Sequence, residues 1–303
     1  MTDLTRRRFT ACSAALGTAT LIPPIATAQS APDIVTRAIP SSGERVPAVG
    51  VGTSRVFDVG DDAAKRATLA QVLRDLVAGG GSIIDTASSY GSAEGVVGDL
   101  VAQADIRRKV FIATKLESPD AEELHQSLQR LRTKQLDLLQ LHNVSDPAQS
   151  LERFREWKAK GICRYVGITS TFHRDYDAVA AVLAREKPDF LEIDYSLEDR
   201  EAEKRLLPLA TEVKAAVLTA LPFGRGRLFR AVRGKPLPGW AKEFDAGSWA
   251  QFFLKFLLGN PAVTAVIPGT ANPAHMLDNL AAMRGRLPDA AQRRRMVELL
   301  GSP

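Results

Sequence analysis

Residues 110–142 read VFIATKLESPDAEELHQSLQRLRTKQLDLLQLH, and this stretch contains the unit from which the chain is built. It opens on Val110-Phe111-Ile112-Ala113-Thr114, a short and nearly continuous apolar run that suits a strand buried on both faces of a parallel sheet. Pro119-Asp120-Ala121-Glu122-Glu123 then gives the acid-rich first turn of a helix, because carboxylates favour the positive end of the helix dipole. Leu124, Leu128 and Leu131 set one apolar stripe along that helix, and a second run, Leu138 to His142, closes the unit.

The same pattern extends in both directions. Upstream lie the runs Val49 to Gly52 and Ser82 to Asp85; downstream lie Tyr165 to Thr169, Phe190 to Tyr195, Ala216 to Ala220 and Thr264 to Pro268. Between them, Thr68, Val72, Leu73, Leu76 and Val77 give one helical stripe, Leu151, Phe154 and Trp157 give another, and Ser92 marks a further helix start. Eight strand and helix units in one chain predict a single-domain (β/α)8 TIM barrel, a fold of about 250 residues. The competing fold is a doubly wound open sheet. It calls for G-x-G-x-x-G after the first strand, and Gly50-Val51-Gly52-Thr53-Ser54-Arg55 lacks the third glycine. Gly79-Gly80-Gly81 reads as a helix-to-strand turn, and Phe223 to Gly247 as a long loop after the seventh strand.

With 303 residues, 45% hydrophobic and 25% charged, the chain is neither disordered nor collagen-like, and it can bury a core without disulfides. Its two cysteines, Cys12 and Cys163, and its histidines, His125, His142, His173 and His275, show no metal-ligand spacing, so no metal site is expected. The basic residues are dispersed among 35 acids, which argues against nucleic-acid binding. Residues 1–28 have the layout of an export signal: Thr5-Arg6-Arg7-Arg8-Phe9, a weakly apolar run from Ala11 to Ile25, and Ala26-Thr27-Ala28 as a cleavage site. The Thr-Arg-Arg-x-Phe string resembles the twin-arginine motif. It implies export of a folded protein to the periplasm by the twin-arginine translocation machinery, with cleavage after Ala28 and no stable membrane anchor. Loss of Arg6, Arg7, Arg8 and Asp3 takes the net charge from +5 to +3, leaves residues 29–303 as the barrel domain, and leaves Cys163 unable to form an internal disulfide.

In a barrel the chemistry belongs at the C-terminal ends of the strands. There the second run ends in Asp85 with Tyr90 close behind, the third in Lys115 and the fourth in His142, at intervals of 30 and 27 positions that place them on neighbouring strands. Together they form a proton-handling set. A buried lysine beside the tyrosine is expected to lower the phenol from its ordinary value near 10, and the histidine can hydrogen-bond and orient a carbonyl oxygen.

Ile83-Ile84-Asp85-Thr86-Ala87-Ser88-Ser89-Tyr90-Gly91-Ser92-Ala93-Glu94 resembles the signature of the aldo-keto reductases. Ala113-Thr114-Lys115, Leu136 to His142, Gly161 to Thr169, Val266 to Thr270 and Asp278-Asn279-Leu280 extend the likeness in order over about residues 45–285. The resemblance implies an NAD(P)H-dependent enzyme acting on a small carbonyl substrate as a monomer. In it Tyr90 is the general acid, Lys115 and Asp85 tune it, and His142 orients the substrate. It further implies that NADPH or NADH is held by Gly52, Thr53, Asp85, Thr169, Ser170, Glu192, Leu221, Phe223, Gly224, Pro268, Gly269, Thr270, His275, Asp278 and Asn279.

Several of these positions depart from the family pattern. Thr169-Ser170 stands for Ser-Asn and Glu192 for Gln around the nicotinamide carboxamide, an aromatic residue is missing near Leu221, and Gly269 and His275 stand where fixed cations often grip the 2′-phosphate. Arg225, Arg227, Arg230 and Arg233 make the long loop basic, which suits a pyrophosphate or an acidic substrate. Phe57, Phe223, Phe229, Trp240 and Trp249 are candidate pocket walls. Two other functions fit some of these residues: a nucleotide-sensing barrel with little turnover, and a Schiff-base enzyme using Lys115 as nucleophile.

Overall fold

The computed structural model describes residues 34–301; the expected export signal, residues 1–28, and the expected cleavage after Ala28 lie outside them. A short antiparallel hairpin, β1 (Thr36–Ala38) and β2 (Arg45–Pro47), comes first. The eight expected runs then appear as β3 (Val51–Gly52), β4 (Ile83–Asp85), β5 (Phe111–Leu116), β6 (Leu136–Leu141), β7 (Cys163–Ser170), β8 (Phe190–Asp194), β9 (Ala216–Ala220) and β10 (Ala265–Val266). All neighbours among these eight pair in parallel and in chain order.

The sheet closes on itself. The Gly50 amide donates to Val266 (2.9 Å), the Val266 amide to Ala48 (2.9 Å), and Gly52 bridges Gly269. Closure explains the glycine at position 52, where a Cβ would stand 2.8 Å from the Ile267 carbonyl oxygen. The fold is therefore a single-domain (β/α)8 barrel, and the open doubly wound sheet is excluded.

The helices α1 (Ala63–Ala78), α2 (Ala93–Gln103), α3 (Ala121–Arg130), α4 (Glu152–Ala159), α5 (Tyr176–Glu186), α6 (Leu206–Glu212), α7 (Arg227–Ala231), α8 (Trp249–Leu258), α9 (Pro273–Ala281) and α10 (Ala290–Leu300) complete the described residues. The expected start of α3 is realised by Asp120, whose carboxylate accepts from the amides of Glu122 (2.7 Å) and Glu123 (2.9 Å). On α1 the buried stripe is Leu69, Val72, Leu73 and Leu76, while Thr68 is exposed, one position off the expected face. The expected loop from Phe223 to Gly247 is largely helical: it holds α7 and 3-10 turns at Gly224–Gly226 and Gly239–Phe244. Its turns are too short to carry a readable apolar period.

The core has two layers. One lies between sheet and helices; the other fills the barrel with Ile83, Phe111, Leu138, Tyr165, Phe190 and Leu218. The hairpin contributes Ile39 and Val46 to this inner layer, both buried. It reaches the N-terminal mouth of the barrel, where the Tyr165 hydroxyl near the start of β7 donates to Glu44 (2.6 Å) and lies 2.7 Å from Ser42 Oγ. With that end plugged, the opposite end is left for chemistry. Truncation of the plug by Ile39→Ala should cost about 2–4 kcal/mol through the cavity it leaves. The measurement is a thermal melt, which should shift down by several degrees; an unchanged melt would contradict the plug.

Candidate active site

Strand β4 delivers Asp85 to the C-terminal rim, and the chain beyond it leans on β5. Thr86 donates its amide to Ala113 (2.9 Å) and Ser88 to Lys115 (3.0 Å), and the Tyr90 amide closes a turn on Ala87 (3.1 Å). This path holds the Tyr90 ring over Lys115, with Nζ 5.4 Å from the ring centroid. His142, just past β6, is anchored by its amide to the Leu116 carbonyl (2.8 Å), and its ring meets Tyr90 edge-on at 5.8 Å. The four residues expected to converge do so. Glu94, the acid in the Asp85–Glu94 stretch, is buried and accepts from Thr114 Oγ1 (2.6 Å) and Arg130 Nε (2.8 Å), tying α2 and α3 to the outer side of β5.

Lys115 is fully buried. Its ammonium donates to both Asp85 oxygens (2.6 Å each) and to the Thr86 carbonyl (2.9 Å), and stands 3.2 Å from Glu192. Glu192 in turn accepts from Gln140 Nε2 (2.6 Å). Two buried carboxylates thus share one cation. Burial, followed by the Glu192 charge, holds the Asp85 carboxyl well above its ordinary value, and Lys115 opposes this only in part. Burial alone would push Lys115 down, but Asp85 and then Glu192 hold it well above its usual range, so it stays an ammonium.

Burial also pushes Tyr90 up to about 12. Lys115 does act in the expected direction, but desolvation outweighs it and Asp85, Glu192 and Glu117 oppose it. The expected lowering of the phenol is therefore corrected: burial of the ring outweighs the lysine, and the carboxylates around it add to the rise. His142 is lowered, first by burial and then by Lys115. Its Nδ1 lies 2.6 Å from Glu117 Oε1, and the Glu117 carboxyl is held below its usual value against its own partial burial by hydrogen bonds from Ser89 and His142.

These groups open onto a cavity of about 580 Å³ at the C-terminal end of the barrel. Of the residues expected from sequence, Gly52, Thr53, Asp85, Tyr90, His142, Thr169, Glu192, Leu221, Phe223 and Gly269 line it. Lys115 lies behind them. Ser170 is buried and turned away, 3.3 Å from Asp175 and accepting from the Phe172 amide (3.2 Å). Gly224 sits under Glu198, where a Cβ would come within 1.6 Å of Oε1, at a positive φ of 54°. Pro268, Thr270, His275, Asp278 and Asn279 are not gathered into the cavity. Thr270 accepts from the Asn272 amide (3.1 Å), Asp278 from Ser248 (2.8 Å) and Gln251 (2.6 Å), and His275 is exposed on α9.

Phe229 joins Phe223 on the wall, whereas Phe57 is buried in the core and Trp240 and Trp249 pack on Phe252. Four non-glycine residues lining the cavity, Arg55, Asn143, Leu221 and Arg225, have positive φ (63°, 49°, 51° and 53°), a conformation that costs about 1–3 kcal/mol each and gathers at functional loops.

Sequence reasoning missed Glu117, Ser89, Gln140 and the cavity cation Arg55. Only Glu117 carried a signal, since it stands two positions past Lys115. It also missed a group drawn from separate segments: His173, Asp194 and Asp199 bring one ligand-type atom each within 4.8 Å of one another. His173 is already paired with Asp199 (2.9 Å), and burial with the Asp199 charge pushes Asp194 up to about 6.

A closed parallel barrel whose C-terminal mouth joins tyrosine, lysine, aspartate and histidine defines an oxidoreductase-type site. Residues 48–294 match the model of the Aldo/keto reductase family, and the chain belongs to that family. Methylglyoxal reductase YeaE of Escherichia coli (strain K12) is 29% identical over 256 residues, covering 81% of this chain and 88% of that one. The NADH-specific methylglyoxal reductase of the same organism is 24% identical over 266 residues, covering 69% and 80%. Among solved structures, an aldo/keto reductase from Klebsiella pneumoniae in complex with NADP and acetate superposes with a TM-score of 0.71 at 25% identity, covering 88% of this chain and 95% of that one. The protein is an NAD(P)H-dependent carbonyl reductase by family. The residues present fit such a cofactor: the Thr53 hydroxyl lacks a partner among the described residues, and Arg55 and Arg225 supply cations on the cavity for a pyrophosphate. NADPH or NADH fits.

Glu192 is the feature that sets the charge of this site. Because the folded state holds Asp85 above its unfolded value, that group adds stability at low pH and loses it as pH rises through its folded pKa. Glu192→Gln removes the competing carboxylate and lets Asp85 ionise against Lys115 alone. The stability of the variant relative to wild type, from urea unfolding, should therefore increase as pH rises from about 4 towards 8. Curves that stay parallel over that range would contradict the shared-cation arrangement.

Proposed function

We propose that Tyr90 is the general acid of this reductase and that its substrates are small aldehydes and ketones. The observation that carries the reading is the contact of Tyr90 with the Lys115–Asp85 pair and with His142 on one cavity. A phenol near 12 is fully protonated at any working pH, and it gives up its proton only to a stronger base, such as the alkoxide formed when a carbonyl is reduced. When bound, the nicotinamide supplies the hydride. The chain itself holds the proton on Tyr90 Oη, excludes water with Phe223 and Phe229, and steadies the developing negative charge with the Lys115 ammonium behind the ring.

The nicotinamide end would be held at Thr53, Thr169 and Glu192 on the cavity, and the pyrophosphate at Arg55 and Arg225. Methylglyoxal is the first substrate to try, because two similar enzymes are named for its reduction. A Schiff-base role for Lys115 is disfavoured, since its nitrogen is buried, charged and engaged by Asp85, Glu192 and the Thr86 carbonyl.

The test is turnover of methylglyoxal and a panel of aldehydes and ketones with NADPH and with NADH, comparing wild type and Tyr90→Phe. The variant should lose about 10²–10⁴-fold in kcat/KM while nucleotide binding, followed by fluorescence, stays within a few-fold. Turnover unchanged in Tyr90→Phe would overturn the assignment of the acid, and tight nucleotide binding without turnover on any carbonyl would favour a sensing barrel.

A further inference from the structure

His142 has one ring nitrogen committed. Nδ1 lies 2.6 Å from Oε1 of Glu117, whose carboxyl also takes a hydrogen bond from Ser89, so the carboxylate is the acceptor and Nδ1 must carry the hydrogen. A neutral imidazole has only one N–H. Nε2, which has no hydrogen-bond partner among the described residues, is then a bare lone pair on a ring that lines the cavity. A carbonyl oxygen is itself an acceptor, so neutral His142 in this tautomer cannot donate to it. Only the imidazolium has a hydrogen on Nε2.

We propose that Glu117 is a positioning residue that fixes the tautomer of His142, so that His142 grips a carbonyl only when it is protonated and accepts an alcohol hydroxyl when it is neutral. The inference deepens the reductase reading and rests on it for its kinetic part. The groups that face His142 are Lys115 on β5, Tyr90 beyond β4, Glu192 on β8, and Glu117 with Ser89 at the rim. Burial and Lys115 disfavour the imidazolium while Glu117 and Glu192 favour it, and the balance lies below the ordinary histidine value. Carbonyl reduction therefore declines as pH rises, beginning on the acid side of the ordinary histidine value. Glu117 is half-exposed, so its replacement does not threaten the fold. Without the carboxylate, the Ser89 hydroxyl, 3.5 Å from Nδ1, is free to donate to it and place the hydrogen on Nε2.

The experiment has two arms on wild type, Glu117→Ala and Glu117→Gln. Nitrogen-15 NMR of the histidine rings at about pH 8 reads the tautomer without any turnover. Wild-type His142 should be in the Nδ1–H form, Glu117→Ala should move to Nε2–H, and Glu117→Gln, whose amide oxygen still accepts, should keep the Nδ1–H form. In the kinetic arm, kcat/KM for carbonyl reduction should fall at least about tenfold between about pH 5.5 and 8 in wild type, and change less than about threefold in Glu117→Ala. An Nε2–H ring in wild type, or the same falling profile in Glu117→Ala, would overturn the proposal. Absence of turnover in wild type with the Nδ1–H tautomer in place would uphold the role of Glu117 on His142 and instead sink the reductase reading.

Discussion

A single ammonium shared by two buried carboxylates is the constraint on which the site depends. Lys115 has no access to water, so its charge is tolerable only because Asp85 at 2.6 Å, Glu192 at 3.2 Å and the Thr86 carbonyl surround it. Those partners come from β4, from β8 and from the loop that carries Tyr90, so the ion cluster pins both sides of the barrel and the acid loop to one point. The tie from Glu94 to Thr114 and Arg130 holds β5 from outside, which keeps Lys115 pointing inward. A buried cluster of this kind contributes little net stability, because desolvation offsets attraction. What it contributes is geometry.

The same surroundings set what Tyr90 can do. A phenol pushed up to about 12 by burial stays protonated near neutral pH and yields its proton only to a base as strong as an alkoxide, which suits it as an acid better than as a base. His142 is lowered and tied to Glu117, so the two hydrogen-bonding groups on the cavity respond to pH in different ranges. The cavity residues with positive φ, Arg55, Asn143, Leu221 and Arg225, carry conformational strain that the closed barrel beneath them sustains.

The barrel was legible because its eight strands are short apolar runs at regular intervals, and the polar residues ending three of them gave Asp85, Lys115 and His142. The hairpin that plugs the other end was not, because strands of three residues carry no period that separates them from loop. Glu192 was read as a cofactor contact standing in for an amide. It lines the cavity as that reading requires, but the sign of its charge acts first on Lys115 and Asp85, a pairing across the barrel that linear spacing does not show. The tyrosine shift was misread for the same reason: the lysine was visible in the sequence, and the burial and second carboxylate that outweigh it were not. Ser170, expected beside the nicotinamide, faces Asp175, and Thr68, expected on the apolar stripe, is exposed; one position of facing in a strand or helix decides between cavity, core and solvent.

The most direct measurement is single-turnover hydride transfer in Lys115→Met, a change that keeps the side chain long and apolar but removes the ammonium. If Lys115 organises the proton donor, reduction should fall by about 10²-fold or more while nucleotide affinity stays within a few-fold, and the folded state should weaken as pH rises and the buried Asp85 is forced to ionise without its cation. Hydride transfer at the wild-type rate in that variant would contradict the account.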